Sequence, residues 1–282
     1  MTHSHHHDVD WAARAADLIA EAEVHAPMVD QALAWLAQRV PGATRVLDVG
    51  SGPGVAACSF AALLPSATVI AADGSAELLE LARQRAAGLG VGDRVSTMET
   101  ALPDGIAGLP AADIVWVSGV AHHMPDPAAA VRDLAARVRP GGVLALREGG
   151  LPLRFVPGYA DRGLSARMDA RTDGLAQRHE HPMGAIEAPR SWPELLREAG
   201  LDDVRSRTFL LDLPAPLDDV ARGHLLRHLR VGREMLADHL TEDDLATLDR
   251  LGADDGPESV LQRADVFLLR ASTVHTGVNG KR

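Results

Sequence analysis

Cysteine is nearly absent from this sequence of 282 residues, in which Cys58 carries the single thiol. One cysteine cannot form a disulfide within the chain, which favours a protein that works in a reducing compartment. The sequence also lacks an uninterrupted apolar run of membrane-spanning length, because Pro65 and Ser66 break the longest stretch, 55–72. Its beginning shows no apolar signal-peptide region. We therefore expect a cytoplasmic protein without membrane association.

Basic residues are scarce relative to acidic ones. Lysine and arginine total 28 against 39 aspartate and glutamate residues, which gives a net charge of −11. Nucleic-acid binding relies on clustered positive charge, so this balance argues against a nucleic-acid partner and favours a small-molecule one. Four histidines lie near the start, at positions 3, 5, 6 and 7. They could chelate a metal, but we interpret them as a disordered tail or a partial purification tag, and we predict no metal site.

A short apolar segment that ends in three closely spaced glycines, VLDVGSGPG at 46–54, is the most informative part of the sequence. Its first residues have the β-branched, apolar character of a buried parallel strand. Gly50, Gly52 and Gly54 allow a sharp turn and a close approach of bare backbone to a ligand. The alanine-rich run 55–64 predicts a helix. Such an arrangement binds nucleotides, because unpaired N–H groups and the positive end of the helix dipole face the ligand.

The spacing of these glycines distinguishes between nucleotides. A dinucleotide fingerprint requires G-x-G-x-x-G, whereas this loop reads G-x-G-x-G with Val55 in the last place, which disfavours NAD and FAD. LDVGSGPG resembles the first motif of the class I S-adenosylmethionine (SAM)-dependent methyltransferases. The resemblance implies that SAM is the cofactor and that Asp48 orients the loop or reaches the cofactor's amino group through water. It also implies loop contacts to the cofactor from Gly50, Ser51, Gly52 and Gly54.

The second predicted strand, 68–72, ends at Asp73. An acidic side chain at this place accepts hydrogen bonds from ribose hydroxyls, and the resemblance makes Asp73 and the adjacent Gly74 the ribose contacts. The alternative is that Asp73 forms a turn or caps the next helix, which is predicted at 76–89.

The end of the third predicted strand, 94–98, departs from the resembling family. There, an Asp after this strand commonly receives the adenine amino group, but Ala101 takes that place here. Glu99, or the backbone around Thr100 and Ala101, would therefore hold adenine, with Leu102 against the ring.

The fourth predicted strand, 113–118, ends at Ser118, a further cofactor contact by resemblance, and is followed by AHHMPD. This segment resembles the H-H-x-P-D sequence of small-molecule methyltransferases. Ligands of α/β sheets lie outside the carboxyl ends of the strands, so we expect it beside the transferable methyl group. His122 or His123 could remove a proton from the acceptor, and the alternative is that one of them only orders the loop. Glu148, after the fifth strand, is the third candidate for proton removal or substrate orientation.

The remaining segments are assigned around this core. Two helices separated near Pro27 are predicted at 9–40, and they offer Trp11 or His25 to the pocket. R-P-G-G at 139–142 is predicted to turn into the fifth strand, 143–147. The last two strands, predicted at 204–211 and around 265–269, form an antiparallel pair by resemblance.

We predict a single α/β methyltransferase domain, Rossmann-like, with a seven-stranded sheet, helices on both faces and a helical cap. Its parts are N-terminal cap helices at 1–40, a cofactor-binding core at 41–150, a substrate cap at 151–190, and the rest of the core at 191–282. A helical insertion at 214–251 has a basic face that completes the pocket, forms a homodimer contact or is simply solvated.

The predicted function is SAM-dependent methylation of a small-molecule acceptor such as a metabolite or natural product. Whether O, N or C is methylated stays open. Two alternatives also stay open: a catalytically silent protein that binds the cofactor, and an enzyme of this fold that uses SAM for another reaction, such as cyclisation.

Overall fold

The structure, a computed structural model, describes residues 15–177 and 190–280. The chain packs as two compact units, each built from more than one segment. The described parts of unit 1 are 150–177 and 210–271, and those of unit 2 are 15–149, 190–209 and 272–280. Trp11, the N-terminal histidines and the end of the predicted substrate cap lie outside the described residues.

A seven-stranded mixed sheet is the centre of the fold, with the strand order β3-β2-β1-β4-β5-β7-β6. The pairs β1–β2, β1–β4, β2–β3 and β4–β5 are parallel. The predicted α/β Rossmann-like class is confirmed. The strands are β1 (Arg45–Val49), β2 (Thr68–Asp73), β3 (Val95–Glu99), β4 (Ala112–Ser118), β5 (Val138–Arg154), β6 (Asp202–Leu213) and β7 (Leu268–Val278).

Helices alternate with the first five strands, as apolar strands joined by alanine- and leucine-rich runs predict. Polar side chains begin several of them, for example Ser75, whose hydroxyl accepts from the Leu78 N–H, and Asp126, whose carboxylate accepts from the Ala129 N–H. In the described residues the α-helices are α1 (Ala15–Arg39), α2 (Val55–Leu63), α3 (Ala76–Gly88), α4 (Pro127–Ala135), α5 (Gly158–Asp161), α6 (Leu164–Gln177), α7 (Trp192–Glu198), α8 (Asp219–Met235) and α9 (Glu242–Leu251). None of these described helices has the length and apolarity of a membrane span.

The prediction of two N-terminal helices divided near Pro27 is wrong for the described part, where α1 is continuous and contains Pro27. Proline removes one backbone hydrogen bond and strains the preceding turn. The helix continues because its apolar face keeps its spacing through this point, with Val24, Met28 and Leu36 all buried. Tertiary packing therefore overrides the local signal. His25 is also buried.

The prediction that 139–142 is a turn before β5 is also wrong, because β5 begins at Val138 and this segment is a bulge within it. Ala112 pairs with Val138 but Ile114 pairs with Val143, so the four intervening residues lie opposite one. A Cβ on Gly142 would approach the Asp113 carbonyl oxygen to 2.6 Å, and this close approach requires glycine.

The last strand lies later than predicted, at Leu268–Val278 rather than around 265–269. Ser206 faces His275 and Thr208 faces Thr273 across β6 and β7, so residue numbers rise on one strand as they fall on the other. This register is antiparallel, as expected. Most of β7 is a half-buried sequence that includes valine, threonine and histidine. The more apolar residues 265–269 are a stronger strand signal, so the sequence predicts the strand there.

The described segments of unit 1 contain four helices besides their strands. The segment predicted as a substrate cap contains α5 and α6, and the helical insertion predicted at 214–251 consists of α8 and α9. Several basic residues there serve unit 1 itself: Arg222 donates to the backbone carbonyls of Val260 and Arg263 at 2.6 and 2.9 Å, and Arg154 pairs with Asp169 at 2.8 Å. Arg222 of the basic face therefore has a structural role within unit 1, which differs from the three roles predicted for that face.

Candidate active site

The glycine loop between β1 and α2 has a left-handed backbone at each of its glycines, with φ of 69° at Gly50, 52° at Gly52 and 74° at Gly54. Two of them also allow close packing. A Cβ on Gly50 would lie 2.4 Å from a methyl of Val120, and one on Gly54 would lie 2.6 Å from the Cβ of Ala82 on α3. Gly52 has no atom within 4 Å of its Cβ position. The loop is thus fixed on both sides and open above Gly52, where a ligand can approach bare backbone.

Asp48 lies under this loop with only 2% of its surface exposed. Burial, together with the nearby charge of Asp73, raises the pKa of Asp48 to about 7, against the opposing effect of a hydrogen bond from the Ala57 N–H. The Oδ2 atom of this carboxyl is buried and makes no hydrogen bond in the structure. A buried acceptor of this kind is costly unless a donor reaches it, so the loop is built to receive one.

This raised pKa predicts a pH dependence of stability. Between the unfolded value of 3.8 and the folded value of about 7, the folded protein keeps a proton that the unfolded chain has released. Stability therefore falls as pH rises through this window. The size of this pKa shift sets an upper bound of about 4 kcal/mol on the stability lost when the folded protein holds Asp48 ionised. Relaxation of the loop around the charge reduces this loss. We therefore expect Asp48→Asn to be about 2 kcal/mol more stable than the native chain at pH 8.

Chemical unfolding of both proteins at pH 5 and pH 8 measures this effect. The gain from Asp48→Asn should shrink at pH 5, where the native carboxyl is largely protonated. The control is Asp126→Asn, which changes the N-cap carboxylate of α4. The difference in unfolding free energy between this variant and the native chain should not shrink from pH 8 to pH 5. Equal gains for Asp48→Asn at both pH values would contradict a raised pKa.

Asp73, at the end of β2, joins the glycine loop to the start of α3. Its Oδ2 accepts from the Gly52 N–H at 2.8 Å, and its Oδ1 accepts from the Ser75 N–H at 3.0 Å. The turn role is therefore present in the structure. Each carboxylate oxygen has a further lone pair, so these two bonds leave the carboxylate able to accept hydroxyl donors as well.

The residues predicted to hold adenine lie at the end of β3, next to Asp73. Glu99 lies opposite Asp73 in the register of β3 and β2, and the Thr100 N–H donates to the Asp73 carbonyl at 2.8 Å. The Thr100 hydroxyl is buried without a hydrogen-bond partner. Ala101 is exposed, and Leu102 packs against the apolar core. Gly74 lies in contact with this strand end, where a Cβ would be 3.6 Å from the Thr100 carbonyl oxygen.

Glu148, near the ligand-facing end of the parallel part of β5, forms a dyad with His122. Its Oε2 lies 2.8 Å from Nδ1 of His122, and its Oε1 accepts from the N–H groups of Val120 and Ala121 at 3.2 and 2.9 Å. Glu148 is 4% exposed, whereas the His122 side chain is 31% exposed. A carboxylate is an acceptor, so Nδ1–H of His122 donates to it and Nε2 carries the lone pair. The dyad thus presents a proton acceptor at its accessible end.

The ring of His123 lies against that of His122, with the ring centroids 4.0 Å apart and the planes tilted by 40°, but the carboxylate of Glu148 pairs with His122. Of the two histidines, His122 is therefore the one whose ring this carboxylate orients. The Ser118 hydroxyl accepts from Nε of Arg147 at 2.6 Å, an interaction that no motif of the sequence predicts.

His275 on β7 is a second histidine near the dyad that sequence reasoning did not single out. Its Nδ1 lies 2.8 Å from the Ser206 hydroxyl. Burial lowers its pKa, against the raising effects of a hydrogen bond to the Glu148 backbone and of the Glu148 charge. It thus braces the backbone of Glu148 from the neighbouring strand. Its distance from Glu148 in sequence left no signal for this contact.

Part of unit 2 is similar to proteins of known family. Residues 47–144 match the family described as "Methyltransferase domain". Trans-aconitate 2-methyltransferase from Azoarcus is 35% identical over 116 residues, which cover 40% of this chain and 42% of that protein. The tRNA 5-carboxymethoxyuridine methyltransferase of Escherichia coli is 33% identical over 123 residues, which cover 41% of this chain and 46% of that protein. The chain thus spans less than half the length of these curated relatives.

A solved structure shares the fold. An O-methyltransferase family protein from Burkholderia thailandensis superposes with a TM-score of 0.52 at 24% identity, over 71% of this chain and 57% of that one. This likeness extends beyond the family match into the remainder of the chain.

Proposed function

We propose that this protein is a SAM-dependent methyltransferase that acts on a small-molecule acceptor, because residues 47–144 match the methyltransferase-domain family and the fold is shared with an O-methyltransferase family protein. The single observation that carries the proposal is the glycine loop, open at Gly52 and placed over the buried, unpaired Oδ2 of Asp48.

The residues at this edge of the sheet fit SAM. Asp48 has an unsatisfied acceptor for an ammonium group, reached directly or through water, and Asp73 retains lone pairs for ribose hydroxyls. Bare backbone at Gly52 and the unpartnered hydroxyls of Ser51 and Thr100 add polar contacts. Adenine would lie against the segment from Glu99 to Leu102. When bound, SAM supplies a sulfonium-activated methyl group.

The protein's own contribution to the reaction is positioning and proton removal. Glu148 fixes the ring of His122 and its tautomer, so that Nε2 can accept a proton from the acceptor's hydroxyl, amine or acidic carbon. Bringing the nucleophile in line with the methyl group accounts for much of the rate in such transfers. The N–H groups of Val120 and Ala121 keep the carboxylate in place, which makes the dyad rigid.

The choice of a small acceptor over a nucleic acid rests on charge. One relative is named for a tRNA substrate and another for a small carboxylic acid. Phosphate backbones require clustered positive charge, and this chain carries a net charge of −11. A nucleic-acid acceptor is therefore the less favoured alternative.

The first experiment is calorimetric titration with SAM and with S-adenosylhomocysteine, using NAD as the control. We expect micromolar binding of the first two and none of NAD. Transfer of labelled methyl groups is then measured on a panel of small acids, phenols and amines, with bulk tRNA in parallel. Binding of NAD alone would overturn the cofactor assignment. Labelling of tRNA alone would overturn the small acceptor, and release of methylthioadenosine would indicate a reaction other than methylation.

Substitution of Asp73 tests the ribose contact. We expect Asp73→Ala to weaken SAM binding by about 1.5–3 kcal/mol, because hydrogen bonds to a charged acceptor are lost. Calorimetry measures the affinity, and chemical unfolding measures the stability in parallel. Asp218→Ala is the control, since Asp218 caps α8 through the Ala221 N–H at 2.8 Å and belongs to unit 1. If Asp73→Ala loses stability but keeps its affinity, as we expect of Asp218→Ala, Asp73 is a turn residue only.

A further inference from the structure

A cavity of about 130 Å³ lies within unit 1. On this scale a single water requires about 10–15 Å³, so there is room for a small polyatomic ion with some of its water. The lining residues that carry polar groups are Tyr159, Arg162, Thr247, Arg250, Glu258 and Arg263. They come from α5 and the turn after it, from α9, and from the segment before β7.

Three arginines against one glutamate give this cavity a positive excess. Arg250 pairs through Nε with Glu258 at 3.1 Å and donates through Nη2 to the Thr247 hydroxyl at 3.1 Å. Neither bond uses its Nη1. The two side chains that bond Arg250 therefore lie on one side of its guanidinium, and the rest of the planar fork is left for a ligand.

Arg263 is oriented in a similar way. Its Nε and Nη2 donate to the two carboxylate oxygens of Asp265 at 2.9 and 2.8 Å, and Asp265 also accepts from the Tyr159 hydroxyl. The Arg263 guanidinium lies 5.9 Å from the centre of the Tyr159 ring. This network holds Arg263 in one orientation, so that a ligand would meet a preorganised donor rather than a flexible chain.

Arg162 supplies the third positive charge, and no described residue forms an ion pair with its side chain. The adjacent Asp161 is occupied instead by the N–H groups of Gly163 and Ser165, at 3.1 and 2.9 Å. Arg162 also has φ of 47°, a left-handed conformation that costs a non-glycine residue energy. A glycine would adopt this turn more easily, so the presence of arginine here points to a use for its side chain.

We propose that this cavity binds a small oxyanion, a phosphate or carboxylate group, through Arg162, Arg250 and Arg263. Bidentate guanidinium contacts suit the planar or tetrahedral oxygens of such groups. The site lies wholly in unit 1, and its existence does not depend on the methyltransferase proposal.

Calorimetric titration of the full chain with inorganic phosphate, and separately with acetate, tests this site. We expect saturable binding of at least one anion and a loss of about tenfold or more in Arg162→Gly. Glycine tolerates the left-handed backbone, so this variant should fold, and its unfolding midpoint is checked alongside. Arg171→Gln, which removes an exposed arginine from α6 outside the cavity, should bind as the native chain does.

The comparison of anions identifies the group. Tighter binding of phosphate supports a phosphorylated ligand, and equal or tighter binding of acetate supports a carboxylate. The proposal is overturned if neither anion binds the native chain, or if Arg162→Gly binds as tightly as the native chain. Equal weakening in Arg162→Gly and Arg171→Gln would also overturn it, because it would indicate a general charge effect.

Discussion

Replacement of Gly52 by valine is expected to abolish SAM binding, with a loss of affinity of at least about a hundredfold. Gly52 is the glycine of the loop whose Cβ position has no protein atom within 4 Å. A valine side chain would therefore fill the space in which the ligand comes close to the backbone. Its φ of 52° adds strain for a β-branched residue. Titration calorimetry of the variant with SAM measures the loss.

A matched glycine separates this effect from backbone strain. Gly90, in the turn after α3, has φ of 69° and likewise has no atom within 4 Å of its Cβ position. Gly90→Val should lose stability to a similar degree and keep its SAM affinity. If both variants bind SAM like the native chain, the glycine loop is not the cofactor site.

The second large effect is expected from Glu148→Gln. The amide oxygen of glutamine can still accept from the Val120 and Ala121 N–H groups, so the loop is retained. Its NH₂ group, however, would face Nδ1 of His122 and favour the tautomer that carries a proton on Nε2. That tautomer cannot accept a proton from the acceptor molecule, and general-base catalysis contributes about 10²- to 10⁴-fold to rates. We therefore expect kcat to fall by about this factor.

The measurement is kcat with the acceptor that the methyl-transfer panel identifies, together with SAM affinity by calorimetry. His122→Ala should lower kcat as much as Glu148→Gln, and the double variant should be little worse than either, because the two residues act as one unit. SAM affinity should be nearly native in all three. His123→Ala is the neighbouring control and should lose less. Equal activity of the His122 and His123 variants would remove the general-base assignment.

The sequence predicted the first four strands of the fold to within about two residues, because their signals are local. The glycine loop could be placed because strand, turn and helix follow one another directly, and the positive φ at Gly50 follows from its residue type. Two local signals misled. Pro27 predicts a break that the buried face of α1 overrides, and R-P-G-G predicts a turn where a bulge keeps β5 paired.

The contacts between strands could not be predicted in the same way. Glu148 lies on β5 and His122 lies on the segment after β4, and their pairing depends on the register of these two strands, not on a motif. Ser206 and His275 are further apart still, on β6 and β7. The raised pKa of Asp48 depends on how completely the loop buries it. Such features arise from tertiary packing, which a pattern of residue types does not specify.

Unit 2 has a consequence for how the protein reaches its native state. Its described parts are 15–149, 190–209 and 272–280, and residues 141 and 142 exchange backbone hydrogen bonds with Asn279. On the ribosome, β1 to β5 therefore emerge well before the strand that completes their sheet, and the edge of β5 is exposed in the interval. Contacts this distant in sequence slow folding and leave strand edges open to aggregation. We expect chaperone dependence during synthesis to concentrate in this interval.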